Sequence, residues 1–283
     1  MKDTKFNKNA LVAVKSIFFT LAALIVLEVL LSSLKRVGVD ILPDSLLGNV
    51  LLEAVIFIVQ FIIVKKYSEK SFFKTIGFKK EKNSGKKIWS GVVMGLFGSI
   101  FMFVAGCVIK LYFYDGIGFS FYSWNIVLVF VLSLFVRAAF AGVCEEVFFR
   151  GVLLNYFSRY KGKMFGLVVS SIVFMIFHCT RYQSISQLLA VLTGGILLGY
   201  VYIVTKSLYM SVGIHIATDF FSNLASIKGQ PGLLIISANS KFSLAYLTEN
   251  MFVLTSIMYI ILLCMFMIAY RIRIKNYNGY NGF

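Results

Sequence analysis

Residues 125–154 read NIVLVFVLSLFVRAAFAGVCEEVFFRGVLL. Only four of these thirty residues carry charge: Arg137, Glu145, Glu146 and Arg150. A helix rises ~1.5 Å per residue, so about 20 apolar residues cross the ~30 Å hydrocarbon core of a bilayer. The stretch therefore predicts a membrane-crossing helix that carries two adjacent carboxylates near its end. Seven more apolar runs surround it, near 11–34, 46–64, 88–114, 164–180, 188–205, 207–227 and 251–270. The sequence thus predicts an all-α polytopic membrane protein of about eight transmembrane helices. The fifth to seventh runs are short and closely spaced, which makes them the hardest to read as separate crossings.

Composition agrees. Of the 283 residues 59% are hydrophobic and 14% charged, where soluble domains average roughly 45–50% and 25%. That much apolar surface cannot fit inside one soluble core. The long runs also exclude a β-barrel, whose strands alternate apolar and polar residues. A net charge of +16 would suit a nucleic-acid partner, but the basic residues stand between apolar runs, where they orient the chain and meet anionic headgroups. Membrane lipids are therefore the expected partners, and nucleic acid is not. Cys107, Cys144, Cys179 and Cys264 fall in or beside apolar runs without a CxxC pair, so a disulfide framework or structural zinc site is not expected. The first run is too long for a signal-peptide h-region and should remain as the first span.

Positive charge falls on alternate loops. Lys2, Lys5 and Lys8 precede the first run, nine lysines lie in 65–87, and Arg159, Lys161, Lys163 and Lys206 follow later runs. Arg271, Arg273 and Lys275 follow the last run. The intervening loops are poorer, although Lys35 and Arg36 lie in the first of them, against Asp40 and Asp44. The positive-inside rule then predicts both termini in the cytoplasm, in the plasma membrane. The lysine-rich 65–87 segment, where Glu69 and Glu81 are the acidic residues, reads equally as a solvated loop or as an amphipathic segment with Phe72, Phe73, Ile76 and Phe78 toward lipid. No repeat or linker divides 1–283, so a single membrane domain is expected.

Ionisable groups inside a bilayer are costly and mark function by default. They cluster in three places: Glu145, Glu146 and Arg150; His178; and His215 with Asp219. Glu146 and Arg150, four apart, share a helix face and can pair, which leaves Glu145, about 100° round the helix, to face a cavity. His215 and Asp219 have the same spacing. Both histidines of the chain belong to this set. Measured from the ends of the runs at ~1.5 Å per residue, Glu145 lies ~14 Å, His215 ~12 Å and His178 ~21 Å from the cytoplasmic side. The three can therefore meet near the midplane. A carboxylate, two imidazoles and a further carboxylate can deprotonate water, donate to an oxyanion or ligate a divalent metal, and peptide hydrolysis is the natural reaction class. Structural readings stand beside this: a Glu–Arg network between helices, or a packed histidine. Lys15 and Lys110 can snorkel, and Glu28, Glu53 and Arg137 read as interhelical pairs or the walls of a wet cavity.

Glu145-Glu146-x-x-x-Arg150, Phe174-x-x-x-His178 and His215-x-x-x-Asp219, in that order on successive helices, resemble the three-motif signature of the CPBP (Abi) family of intramembrane proteases. That family includes type II CAAX prenyl endopeptidases and bacteriocin-immunity proteins. Phe149-Arg150-Gly151 and the Gly194-Gly195-Ile196-Leu197-Leu198-Gly199 stretch are also similar, and the likeness covers about 125–227. The resemblance implies an endopeptidase acting near the cytoplasmic side from a cavity embedded in the membrane. Glu145 would activate water, Glu146 and Arg150 would support it, His178 would assist, and His215 and Asp219 would stabilise the oxyanion. Asp219 stands where asparagine would be the better donor, so it either stays protonated or orients His215. A divalent metal such as zinc, held by Glu145, His178 and His215, is one option; a metal-free glutamate mechanism is the other. The substrate would be a peptide or a lipid-modified protein. Two rivals remain: a non-catalytic immunity or scaffold protein of the same fold, and a transporter, against which the lack of a two-half repeat counts.

Overall fold

The computed structural model describes residues 2–39, 41–42, 45–68 and 70–280, with side chains placed between 8 and 270. Asp40, Asp44 and Glu69 of the charge pattern, and Met1 and 281–283 at the termini, lie outside the described residues. So do the side chains of Lys2, Lys5, Arg271, Arg273 and Lys275. The elements run α1 (Lys2–Arg36), α2 (Leu46–Tyr67), α3 (Phe72–Ile76), α4 (Ser84–Val108), β1 (Tyr112–Ile117) and α5 (Trp124–Glu146). A π-helical segment (Val147–Leu154) continues α5 into α6 (Asn155–Lys161). Then come α7 (Lys163–Phe177), α8 (Ile185–Thr205), α9 (Leu208–Ser222), β2 (Ala225–Ile227), β3 (Leu234–Ala238) and α10 (Leu244–Tyr280).

The chain is an integral, all-α membrane protein. Each of the eight expected runs forms helix, but only six helices among the described residues are long and apolar enough to cross a bilayer. α7 and α9, the fifth and seventh runs, have 15 residues each. At ~1.5 Å per residue they reach only about 22 Å, short of the ~30 Å core. Large apolar side chains such as Phe18, Ile25 and Val29 on α1 face outward, as lipid as solvent requires.

Local chemistry sets the helix ends. Ser45 caps α2 by accepting from the Gly48 amide at 3.1 Å. Ser184 and Gln187 form a reciprocal capping box on α8. Gly162, at φ +96°, makes the turn from α6 into α7. α4 packs on α9 at backbone contact: a Cβ on Gly91 would lie 2.3 Å from the Met210 carbonyl, and one on Gly213 would lie 2.3 Å from that of Ile88. Small residues permit this close approach, which replaces hydrophobic driving force inside a bilayer. α1 is pinned to α2 by polar side chains instead. Ser16 donates to Gln60, and Gln60 Nε2 donates to Thr20 at 2.8 Å.

Two regions depart from expectation. In the lysine-rich segment, Phe72 and Ile76 are buried, Phe78 is half-buried and Phe73 is exposed, so α3 plugs into the bundle rather than lying on lipid. Asn155 Nδ2 donates to the Thr75 carbonyl at 2.7 Å and holds it there. The third run ends at Val108, and the residues after it form a strand. β1 pairs antiparallel with β3, and β2 pairs parallel with β3, giving the order β1-β3-β2. This small sheet ties together the ends of α4, α9 and α10. The lysine-rich segment, Lys161, Lys163 and Lys206 lie at the opposite end of the bundle. The four cysteines are unpaired, with Cys144 buried but Cys179 and Cys264 exposed.

Candidate active site

α5, the π-helical segment, α7 and α9 bring every residue of the three motifs together. Glu146 is 0% and Arg150 1% exposed, and Arg150 Nη1 donates to Glu146 Oε1 at 2.5 Å. The Arg150 guanidinium also lies 4.5 Å from the centre of the Phe174 ring, and Nη2 reaches the Gly195 carbonyl at 3.4 Å. That contact and the packing on Phe174 and Ser171 account for Gly195, while Gly194 packs on Tyr259 and Gly199 on Leu167 and Leu154.

The hydrogen-bond partners fix both imidazole tautomers. His178 Nδ1 lies 2.8 Å from the Phe174 carbonyl, which can only accept, so Nδ1 carries the proton. His215 Nδ1 lies 3.0 Å from Glu146 Oε1, a carboxylate oxygen already paired with Arg150, so this Nδ1 donates too. Both Nε2 atoms therefore turn toward Glu145, at 3.8 Å for His178 and 3.7 Å for His215. Asp219 Oδ2 lies 3.6 Å from His215 Nε2. Tyr182 stacks on His178 with rings 6° from parallel. These separations exceed direct hydrogen bonds, and a water oxygen beside the carboxylate and imidazoles, off the lines that join them, can reach all three.

Glu145, His178, His215 and Asp219 line a cavity of about 300 Å³. Its walls come from Asn49 and Glu53 early in α2, the middle of α8, the first half of α10, the second half of α9, residues 178–182 and further residues of α4, α5 and α7. It thus opens at the sheet end, away from the lysines. The helix bearing Glu145 runs unbroken to Lys161, sixteen residues on, which puts Glu145 about 24 Å from that end rather than ~14 Å.

The sequence reading placed Glu53 outside the chemistry, in an ion pair or on a wet wall. It lines this cavity beside Asn49, one turn earlier on α2. Glu53 is 5% exposed, and among the described residues Glu53 Oε2 and Asn49 Oδ1 have no hydrogen-bond partner. The i, i+4 spacing of Asn49 and Glu53 within an apolar run was the available signal. Glu145, His178 and His215 surround a common space. However, among the described residues no three His, Cys, Asp or Glu side chains converge closely enough to hold a metal ion. The proposed metal set therefore does not fit as it stands.

Residues 126–221 match the family described as type II CAAX prenyl endopeptidase Rce1-like. The match runs from the start of α5 to the end of α9 and contains all three motifs, so it bears out the CPBP resemblance. No curated protein matches the chain.

Proposed function

We propose that the protein, as one membrane domain over 1–283, is an intramembrane endopeptidase of CAAX-protease type. The observation that carries this is Glu145 set between two imidazoles whose Nδ1 protons are both engaged elsewhere. Water placed there donates one hydrogen to Glu145 and turns its oxygen lone pair toward a substrate carbonyl. Glu145 takes the proton as the oxygen adds, and returns it to the leaving amine as the C–N bond breaks. His215, as imidazolium, donates from Nε2 to the oxyanion. Glu146 and Asp219 stabilise the imidazolium charge of His215, which gives Asp219 the orienting role. His178 holds the water. Glu53 and Asn49 supply acceptors for substrate N–H groups. No step is routed through a metal.

By the positive-inside rule the lysine-rich end and both termini lie in the cytoplasm, at the plasma membrane, so the cavity mouth faces the other side. Substrates are peptides or lipid-modified proteins held at the membrane.

The test compares wild type with Glu145→Gln, both purified, on membrane-associated and prenylated peptides read by mass spectrometry, with and without chelator. Wild type should cleave, and the variant should fall by about 10²–10⁴-fold at unchanged unfolding temperature. Equal turnover would refute the role of Glu145. Binding without cleavage by either protein would favour the scaffold or immunity reading.

A further inference from the structure

A groove of about 870 Å³ runs along the α1–α2 hairpin, apart from the catalytic cavity. On α1 it reaches from Lys15 to Leu30, and on α2 from Tyr67 back to Val55, which at ~1.5 Å per residue is about 18–22 Å. Ser16, Thr20 and Gln60, buried and hydrogen-bonded to one another, hold the two helices together beside it. Its inner part is apolar, with the small Ala22 and Ala23 on α1 facing Ile58 and Ile62 on α2. Its head, at the lysine-rich end, is not. Lys15 Nζ donates to the Tyr67 hydroxyl at 3.1 Å and lies 5.1 Å from the centre of that ring. Lys66 Nζ lies 5.8 Å from the same centre. Among the described residues neither ammonium is within ion-pair distance of a carboxylate, whereas Lys87 is paired with Glu81.

Two like charges gathered at one ring repel, and an anion between them turns that cost into attraction. The Tyr67 hydroxyl, which accepts from Lys15, keeps its own proton to donate to the same anion. Snorkelling accounts for either lysine alone, by carrying its ammonium out to water. It does not account for both turned to one tyrosine at the head of an apolar slot. The dimensions then name the class of anion. Half of the ~30 Å hydrocarbon core is about 15 Å, so a slot of this length that starts at charged side chains takes an acyl chain of one leaflet with its headgroup above. Two ammonium groups favour a headgroup of net negative charge and repel the cationic end of a zwitterionic one. An apolar helix laid in the groove would leave both charges unanswered.

We propose that the α1–α2 groove is a binding site for one anionic phospholipid of the leaflet at the lysine-rich end. Its phosphate sits between Lys15, Lys66 and the Tyr67 hydroxyl, and an acyl chain lies over Ala22 and Ala23. The lipid bridges the first two helices where side-chain packing alone leaves a gap. The site stands whether or not the protein is an endopeptidase.

The full chain, stripped of lipid in mild detergent, is titrated with phosphatidylglycerol or with phosphatidylcholine of identical acyl chains, and bound lipid is counted by native mass spectrometry. The first phosphatidylglycerol should bind about tenfold tighter or more than the first phosphatidylcholine. Lys15→Gln/Lys66→Gln should bring that ratio toward one. Lys66→Gln alone changes an exposed position, should lower the ratio part-way, and keeps the test valid if the Lys15 change disturbs the hairpin. Ala23→Phe fills the slot and should weaken both lipids. Lys79→Gln/Lys80→Gln removes the same charge from exposed positions at the same end and should leave the ratio as in wild type. A wild-type ratio near one, or an equal fall in the two double variants, overturns the proposal, the second result reducing it to general surface charge. Displacement of the bound lipid by a stoichiometric lipid-modified peptide would assign the groove to a substrate anchor instead. A dimer lost in Ala23→Phe with lipid binding unchanged would assign it to a second copy of the chain.

Discussion

Arg150→Met tests the pair behind the site. Methionine keeps length and apolar volume but removes the charge that faces Glu146 across 2.5 Å. Glu146 would then be left fully buried, with Oε2 already without a partner and Oε1 held only by His215 Nδ1. Removing one member of a buried pair costs roughly 3–5 kcal/mol, because the other charge stays buried and uncompensated. Against a total stability of about 5–15 kcal/mol, that shifts the folded-to-unfolded ratio by roughly two to four powers of ten. The double variant Glu146→Gln/Arg150→Met removes both charges and should recover most of the loss, with a coupling of about 2 kcal/mol or more. Reversible unfolding in mild detergent, followed by circular dichroism, reads all four proteins of the cycle. If Arg150→Met stayed within about 0.5 kcal/mol of wild type, or the double variant were no better than the single, the pair would not be what stabilises this core.

Three further outcomes are expected. His178→Ala should lower cleavage by about 10²-fold or more with unfolding unchanged within roughly 1 kcal/mol, since the ring is partly exposed and Nδ1 bonds only a backbone carbonyl; full activity would remove His178 from the mechanism. Gly95→Val should destabilise by about 1–3 kcal/mol, because its Cβ would meet the Ala217 Cβ at 2.7 Å, while Gly85→Val, with nothing within 4 Å, should be neutral; the same unfolding assay decides. In intact cells, an impermeant maleimide should label Ser240→Cys at the sheet end and spare Lys82→Cys at the lysine end, both exposed positions, in a background with Cys179 and Cys264 replaced by serine. The reverse pattern would turn the cavity mouth toward the cytoplasm.

Much of this was legible in the sequence because bilayer thickness writes itself into run length, and a charge inside such a run has few structural excuses. Glu145, Glu146, Arg150, His178, His215 and Asp219 were readable on those grounds, and the structure brings all six together. The sheet was not, since strands of three to six residues beside long apolar helices leave no period to detect. Nor was the burial of Phe72 and Ile76, because Ile76 is received by Gly151 and Tyr202, far away in the chain, and Phe72 packs on Phe57 and Phe61 of α2. Glu53 was visible as a charge, but its neighbours come from α5 and α9, and no local pattern states which helices are adjacent. The distance of Glu145 from the lysine-rich end depended on where α6 ends, and run length alone blurs that by several residues.

The π-helical turn after Glu146 has a consequence for drift. All eight residues from Val147 to Leu154 are buried, including Phe148, Phe149 and Arg150. An ordinary membrane helix turns some residues to lipid every third or fourth position, and there one apolar side chain can replace another almost freely. This segment has no such positions. Across two successive turns every replacement must be absorbed by a neighbour on another helix, so change there has to come in compensated pairs, and the segment should vary more slowly than the lipid-facing turns on either side of it.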